Sequence, residues 1–173
     1  IKPSMPSEQE LMNWLDIDQD QAKKLTERVQ IVMNASNLKP YLTENQWVQA
    51  WNELDIVSKE GKSYRMDRLV EFDDHLAIID YKLTIPEEGS PAYEKYRAQL
   101  GAYKEELGRI RQDKPAKAFL VSSKGEIAQI AWGAFVAKKA TKNPLVGVFA
   151  SNKYLVLKYC IDIQYIRTHG TYR

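Results

Sequence analysis

The residues with the clearest chemical potential are two aspartates and a lysine near the middle of the chain. Asp67 lies within one run of strand-forming residues, and Asp80 and Lys82 end a second run. The polar pair Asp73-Asp74 separates the two runs, which predicts an antiparallel hairpin with this pair in its loop. The three charged residues are therefore expected to lie on neighbouring strands.

The expected register brings the two aspartates together. Counting outward from the loop sets Asp67 opposite Asp80, and side chains alternate between the two faces of a strand. Two further pairs share that face: Leu69 with Ile78, and Arg65 with Lys82. Directly opposed Cβ atoms lie about 4.5–5.5 Å apart, and two like charges at ~5 Å repel by roughly 3 kcal/mol at an effective dielectric constant of ~20. Folding therefore requires a shared proton, a nearby cation or a bound metal at this pair.

Such a pair suits metal-assisted hydrolysis. Ligands that are all oxygen atoms favour Mg²⁺ or Mn²⁺ over zinc or copper. A divalent ion held by Asp67 and Asp80 can polarise a phosphoryl oxygen and lower the pKa of a bound water. Lys82 can orient or deprotonate that water. These three residues predict hydrolysis of a phosphodiester.

Each of these residues also has a plain structural interpretation. Asp67 can be an exposed strand aspartate paired with Arg65 or Arg68, and Lys82 can be a solvated strand end. Two observations favour the chemical interpretation. Strands disfavour aspartate, and the run before Asp80 is apolar on both faces, which predicts a central strand where a carboxylate is rare.

At these residues the sequence resembles the PD-(D/E)XK nuclease superfamily, most closely its RecB-like branch, the nuclease domain of bacterial recombination-repair helicases. Asp67 stands where the family has its first aspartate, and Asp80-Tyr81-Lys82 stands as the acid-x-lysine element. The resemblance implies that Asp67, Asp80 and the carbonyl of Tyr81 hold the metal. It also implies that Asp67, Asp80 and Lys82 are the catalytic residues.

A third motif extends the resemblance to roughly residues 25–130. Gln99 and Tyr103 match the Gln-x-x-x-Tyr motif of the helix that follows the catalytic hairpin in this branch. The resemblance implies that both residues face DNA, although Tyr103 also belongs to an apolar helical stripe and can equally be a core residue. Arg68 is a candidate phosphate contact, with a merely solubilising role as its alternative.

The order of patterns along the chain predicts the fold. We expect an α/β protein with a restriction-endonuclease-like core, in which an antiparallel meander and an added strand form a central mixed β-sheet flanked by helices. The expected helices begin after Ser7, after Asp18 and after Ser90, the last ending at Gly108. The expected strands are 47–57, 64–72, 75–84, 116–122 and 127–132.

The predicted helices and strands divide the chain into three segments. Residues 1–17 are expected to be a linker with a short helix, residues 18–132 the nuclease core, and residues 133–173 a C-terminal extension of unknown role containing two further strands. The chain does not begin with Met, so we expect a domain excised from something longer. The resemblance implies that its neighbours are the helicase part of a larger parent chain and the subunits of its complex.

The composition of the 173 residues is that of an ordinary globular domain, with 44% hydrophobic and 28% charged residues. No apolar run approaches the ~20 residues that cross a bilayer, and we expect neither a signal peptide nor a membrane span. The single cysteine, Cys160, fits a reducing cytoplasm. A net charge of +2 neither demonstrates nor excludes nucleic-acid binding.

One element of the family pattern lacks a match. Members of the RecB-like branch supply a further metal ligand, His or Glu, from a helix upstream of the hairpin. This leaves three alternatives: that helix is absent from this chain, Glu27 substitutes for the ligand, or the site is incomplete. We expect the first. His75 and His169 do not fit the pattern, and Glu53 is a supporting acid or, as we prefer, a surface or cross-strand charge.

The expected function is Mg²⁺-dependent or Mn²⁺-dependent hydrolysis of DNA by an exonuclease domain within a helicase-nuclease of double-strand-break repair and recombination. The alternative is a non-catalytic module of the same fold that binds DNA or a partner subunit. The presence of both the second acid and the lysine favours the enzyme.

Overall fold

The computed structural model describes residues 6–43 and 46–132. Four helices and five strands follow one another there: α1 (Glu8–Leu15), α2 (Gln19–Asn34), α3 (Lys39–Leu42), β1 (Gln49–Val57), β2 (Ser63–Glu71), β3 (Leu76–Lys82), α4 (Pro91–Ile110), β4 (Ala116–Ser122) and β5 (Ile127–Ile130). The predictions for the first five residues and for the extension 133–173, with its two strands, Cys160 and His169, lie outside the described residues.

The first two helices begin where the sequence predicts them, each at a capping box. The Ser7 hydroxyl accepts a hydrogen bond from the Glu10 N–H, and the Glu10 carboxylate accepts one from the Ser7 N–H. Asp18 and Gln21 make the same reciprocal pair at the start of α2. Each box satisfies backbone donors that a helix start leaves without partners. Both predicted helix starts are confirmed.

One helix boundary differs from the prediction, and one short helix was not predicted. α2 ends at Asn34, before Pro40, and Pro40 lies in the first turn of the unpredicted helix α3, where its missing N–H and fixed φ are tolerated. Gly108 was expected to end α4, yet the helix continues to Ile110. Arg109 supports the added turn through ion pairs with two glutamates of the preceding turn.

The five strands form one mixed sheet in the order β1-β2-β3-β4-β5. The first three strands are an antiparallel meander. β4 lies parallel to β3 after the crossover through α4, and β5 runs antiparallel to β4. The structure is therefore α/β with a five-stranded mixed sheet flanked by helices, as predicted and consistent with a restriction-endonuclease-like core.

Each face of the sheet has its own hydrophobic core. The face covered by the N-terminal helices buries Leu25, Val29 and Val32 against Val70, Ile79 and Phe119. The face covered by α4 buries Leu100, Tyr103 and Leu107 against Leu69, Ile78 and Leu120. β3 and β4 lie centrally and are apolar on both faces, which is the pattern expected of strands buried on both sides. None of the described helices is long and apolar enough to cross a bilayer.

Candidate active site

The central hairpin has the predicted register. Leu69 pairs with Ile78, and Glu71 pairs with Leu76. The Phe72 N–H donates to the His75 carbonyl at 2.9 Å, which closes a two-residue loop. Next to this loop, odd-numbered residues of β2, such as Leu69, and even-numbered residues of β3, such as Ile78, face α4. The expected pair of Asp67 with Asp80 lies just beyond the last pair of the ladder, Arg68–Ile79, and the two carboxylates are close enough for the Asp80 charge to raise the Asp67 pKa.

The two strands of the hairpin separate where Asp67 lies. Their ladder ends at the pair Arg68–Ile79. Hydrogen-bonded pairs of an antiparallel ladder recur every second residue, so a regular continuation would join Met66 to Tyr81. Instead the Tyr81 N–H donates to Oδ2 of Asp67 at 2.8 Å. The Asp67 carboxylate thus takes the position of a backbone acceptor at the fork between β2 and β3.

Helix α4 holds the separated end of β2. The Tyr103 hydroxyl donates to the Arg65 carbonyl at 2.8 Å and accepts a hydrogen bond from the Gln99 side-chain amide at 2.7 Å. Tyr103 is 4% exposed. Both motif residues therefore lie beside the fork, and the core interpretation of Tyr103 fits its burial. Contact of Gln99 and Tyr103 with DNA stays a prediction.

Asp80 and Lys82 lie together at the end of the central strand β3. Asp80 is 3% exposed, and the Lys82 ammonium forms an ion pair with its Oδ2. Apart from this ion pair, that buried oxygen has no hydrogen-bond partner among the described residues. The Lys82 Nζ also lies 4.5 Å from the centre of the Tyr96 ring, a cation–π contact. Lys82 is therefore held between a carboxylate and an aromatic face.

The site does not fully compensate two negative charges. Burial raises the pKa of Asp67 from its ordinary 3.8 to about 6, and the neighbouring Asp80 charge adds to that rise. The Tyr81 N–H and Lys82 lower the same pKa but do not offset the rise. Burial also raises the pKa of Asp80, with Lys82 opposing it. A site of this kind gains from an additional cation.

The donor set fits a magnesium-type ion rather than a transition metal. Among the described residues no three His, Cys, Asp or Glu side chains converge to hold a metal, so Asp67 and Asp80 would be its acidic ligands. Mg²⁺ is commonly held by one or two carboxylates, with water and substrate phosphate as its other ligands. The Tyr81 carbonyl remains a predicted ligand.

The two candidate arginines do not point into the site. Arg65 was expected to face Lys82, but its guanidinium is exposed and paired with Asp55. Arg68 is completely buried and donates from Nε to the Tyr41 carbonyl at 3.1 Å. Alternation turns Arg68 to the face covered by the N-terminal helices. Its predicted phosphate contact does not fit this burial, and Arg68 is left out of the site.

Two further candidates also lie away from the fork. Glu27 is exposed on α2, whose buried residues pack on the face of the sheet opposite α4. His75 lies in the hairpin loop, where it contacts Asp74 and stacks on Phe72. Neither side chain supplies the additional ligand that the family pattern contains.

Sequence reasoning missed Tyr96 as a residue of this site. Tyr96 lies one helical turn before Gln99, and this spacing could have shown that both residues face the same side. Glu53 was considered only for its charge; its φ of +50° in β1 could not be predicted, because glutamate is not a residue typical of that conformation.

The site therefore combines a carboxylate pair at a strand fork, an adjacent ammonium group and a helix that keeps the fork open. Acids, a lysine and backbone oxygens in this arrangement are suited to holding a divalent cation beside a phosphate ester. No protein-family model matches the sequence, and no curated protein matches it either.

Proposed function

We propose that this chain is a nuclease domain that hydrolyses DNA phosphodiesters with Mg²⁺ or Mn²⁺. The observation that carries the proposal is the convergence of Asp67 and Asp80 at the strand fork, with the Lys82 ammonium beside them. The resemblance of the same residues to the RecB-like branch supports it independently of their geometry.

Asp67 and Asp80 would hold the ion, with the Tyr81 carbonyl as a further ligand. Their raised pKa values indicate a pair that is under-compensated in the protein alone. A divalent ion bound there would supply Lewis-acid polarisation of the phosphoryl group and would lower the pKa of a bound water. The Tyr81 N–H fixes one oxygen of Asp67 and so orients the other for a ligand.

Lys82 would act on the water and on the charge that builds up during the reaction. Its ammonium group carries three donors and lies against Asp80 and the Tyr96 ring. These contacts restrict the lysine to the neighbourhood of the carboxylates. From that position it donates hydrogen bonds to the attacking water and to a phosphoryl oxygen, which stabilises the transition state.

The wider setting of this activity follows from the resemblance. We infer an exonuclease domain of a helicase-nuclease that acts in the cytoplasm in double-strand-break repair and recombination, with the helicase part and its complex subunits as partners. Gln99 and Tyr103 would line the path of the DNA strand. Their hydrogen bonds to each other and to the Arg65 carbonyl would also keep that path open.

The proposal is tested by cleavage of linear single-stranded and double-stranded DNA in the presence of Mg²⁺ or Mn²⁺. Asp80→Asn keeps the shape of the side chain and removes its charge, and we expect it to abolish cleavage. Asp73→Asn removes an exposed acid of the hairpin loop and serves as the matched control. Mn²⁺ binding, followed by electron paramagnetic resonance, is the second measurement.

Two results would reject an enzyme. Asp80→Asn could cleave as fast as the parent, or the parent could neither bind Mn²⁺ nor cleave either substrate. Either result would favour the non-catalytic module that binds DNA or a partner.

A further inference from the structure

An unusual backbone conformation lies in the middle of β1. Glu53 has a φ of +50°, the left-handed region that side chains other than glycine, asparagine and aspartate rarely adopt. Among the described non-glycine residues only Asp16 shares a positive φ, and Asp16 ends α1, where such a conformation is common. Inside a strand it is a local strain that the surrounding structure must maintain.

The strained residue stands directly across from Asp67. On one side Asn52 pairs with Arg68, and on the other Leu54 pairs with Met66. Glu53 and Asp67 lie in the row between these two pairs, and in the described strands they are not themselves paired in the ladder. The ladder between β2 and β3 also stops beside this row. Regular pairing of β2 is therefore interrupted on both sides at the candidate metal ligand.

The same row changes which face the side chains occupy. In β1, Trp51 and Leu54 lie three residues apart, yet both pack in the core beneath α4. The same holds for Met66 and Leu69 in β2. Regular alternation would send residues three apart to opposite faces. Both strands therefore shift their alternation between these positions.

We propose that Glu53 is a positioning residue of the candidate active site: its left-handed backbone produces this shift and so releases Asp67 to bind the Tyr81 N–H beside Asp80. The inference rests on the proposed function only for the role of the positioned Asp67 carboxylate, which is to bind the metal. With an extended residue at position 53, β2 would continue its ladder to β3. The Tyr81 N–H would then meet the Met66 carbonyl, and Asp67 would lose its donor.

Four substitutions separate the backbone of Glu53 from its charge. Glu53→Gly and Glu53→Asn remove the charge but tolerate a positive φ. Glu53→Ala disfavours that φ mildly, and Glu53→Val disfavours it strongly because it is β-branched. Asp55→Val is the matched control, since it removes an acid and introduces the same side chain at an exposed position of β1; the ion pair with Arg65 that it also removes is exposed on both sides and contributes little.

The first measurement is Mn²⁺ affinity. We expect Gly and Asn at position 53 to bind Mn²⁺ like the parent, and Val to bind it at least about tenfold more weakly, the usual range for loss of a group that orients a metal ligand. Asp55→Val should bind like the parent. Urea unfolding separates this effect from misfolding, because Glu53→Val should unfold cooperatively, since a β-branched residue favours an extended strand.

The second measurement needs no metal. The Tyr81 amide proton bonds to the Asp67 carboxylate, so Asp67→Asn should shift the Tyr81 amide resonance in the parent and in Glu53→Gly. In the Glu53→Val background the same change should leave that resonance in place, because the bond is already lost. If Glu53→Val does not fold, the pair Glu53→Ala and Glu53→Gly gives the same comparison.

The outcomes are distinct. Equal Mn²⁺ affinity and equal Tyr81 response in Gly, Ala and Val would overturn the inference. Equal loss in all four variants, Gly and Asn included, would also overturn it, because the carboxylate and not the backbone would then matter. In a third outcome the parent binds no Mn²⁺, but Asp67→Asn still shifts the Tyr81 resonance, and only where residue 53 tolerates a positive φ. That outcome would reject the proposed function and support the positioning role of Glu53.

Discussion

Replacing Asp67 by asparagine should stabilise the metal-free protein at neutral pH while abolishing the proposed DNA cleavage. Burial and the neighbouring Asp80 charge raise the pKa of Asp67 from 3.8 to about 6. A folded-state pKa above the unfolded one means that the folded protein retains a proton that the unfolded chain releases. Stability therefore falls as the pH rises from about 4 to about 6, and the full penalty applies above that window.

The magnitude follows from the raised pKa. Each pKa unit corresponds to ~1.4 kcal/mol, so ionised Asp67 destabilises the folded state by up to roughly 3 kcal/mol at neutral pH. Asparagine carries no charge, and its Oδ1 can still accept the hydrogen bond from the Tyr81 N–H. We therefore expect Asp67→Asn to raise the free energy of unfolding by about 1–3 kcal/mol at pH ~7.5 and to change it little at pH ~4.

The assay is urea unfolding of the parent and the variant with a chelator present. Addition of Mn²⁺ should reverse the order. A ligand at a thousand times its dissociation constant stabilises the parent by ~4.1 kcal/mol, which exceeds the expected advantage of the variant, and the variant, lacking one acidic ligand, should gain little. Asp73→Asn, an exposed loop substitution, should show neither effect.

A purely structural Asp67 gives the opposite pattern. If the carboxylate served only to hold the Tyr81 N–H, a charged acceptor would be the stronger one. Asparagine would then destabilise the protein at neutral pH, and Mn²⁺ would stabilise parent and variant equally. That result would refute the interpretation of Asp67 and Asp80 as a carboxylate pair whose negative charge is compensated by a bound cation.

Four other substitutions, one of them a control, have definite expected outcomes. Glu71→Gln removes the buried partner of Arg111 and Lys114, which hold the Glu71 pKa at about 2; urea unfolding should show a loss of ~2–3 kcal/mol above pH ~4.5 that disappears as the pH falls toward 2. Gly125→Ala adds a Cβ 3.0 Å from that of Ala35 and should cost ~2–4 kcal/mol. Gly61→Ala, with the same φ and open space, should cost only ~1 kcal/mol; equal losses would rule out the packing term. Tyr103→Phe leaves the Arg65 carbonyl without its donor and should cost ~1–2 kcal/mol and slow cleavage; unchanged cleavage would show that the fork does not depend on it.

Features with a local cause could be predicted from the sequence. The capping boxes at Ser7 and Asp18 specify both helix starts by hydrogen bonds within three residues. Asp73 and Asp74 mark the hairpin loop, and from that loop the pairing of Leu69 with Ile78 follows by counting. The proximity of Asp67 and Asp80 is a consequence of the same counting.

Features that depend on tertiary contacts could not be predicted in this way. Arg68 is buried because its guanidinium donates hydrogen bonds to the Tyr41 carbonyl and the Asn52 amide oxygen, which lie far from it in sequence. The expected pairing of Arg65 with Lys82 was wrong because the hairpin forks before it reaches them. The left-handed backbone of Glu53, across β2 from the fork, also could not be predicted, because no sequence pattern indicates a positive φ at that residue type.

The departures from regular structure are concentrated in one place, and this concentration favours a functional explanation. Glu53 has a strained φ, Asp67 interrupts two ladders, and Asp80 is a buried carboxylate in a central strand. Each departure lowers the stability of the metal-free fold, and each would be relieved by an ordinary strand residue. A sheet selected for packing alone would have no reason to collect three of them around one gap. A sheet that must present two acids to a cation requires a break in its pairing and unsatisfied oxygen atoms at that break.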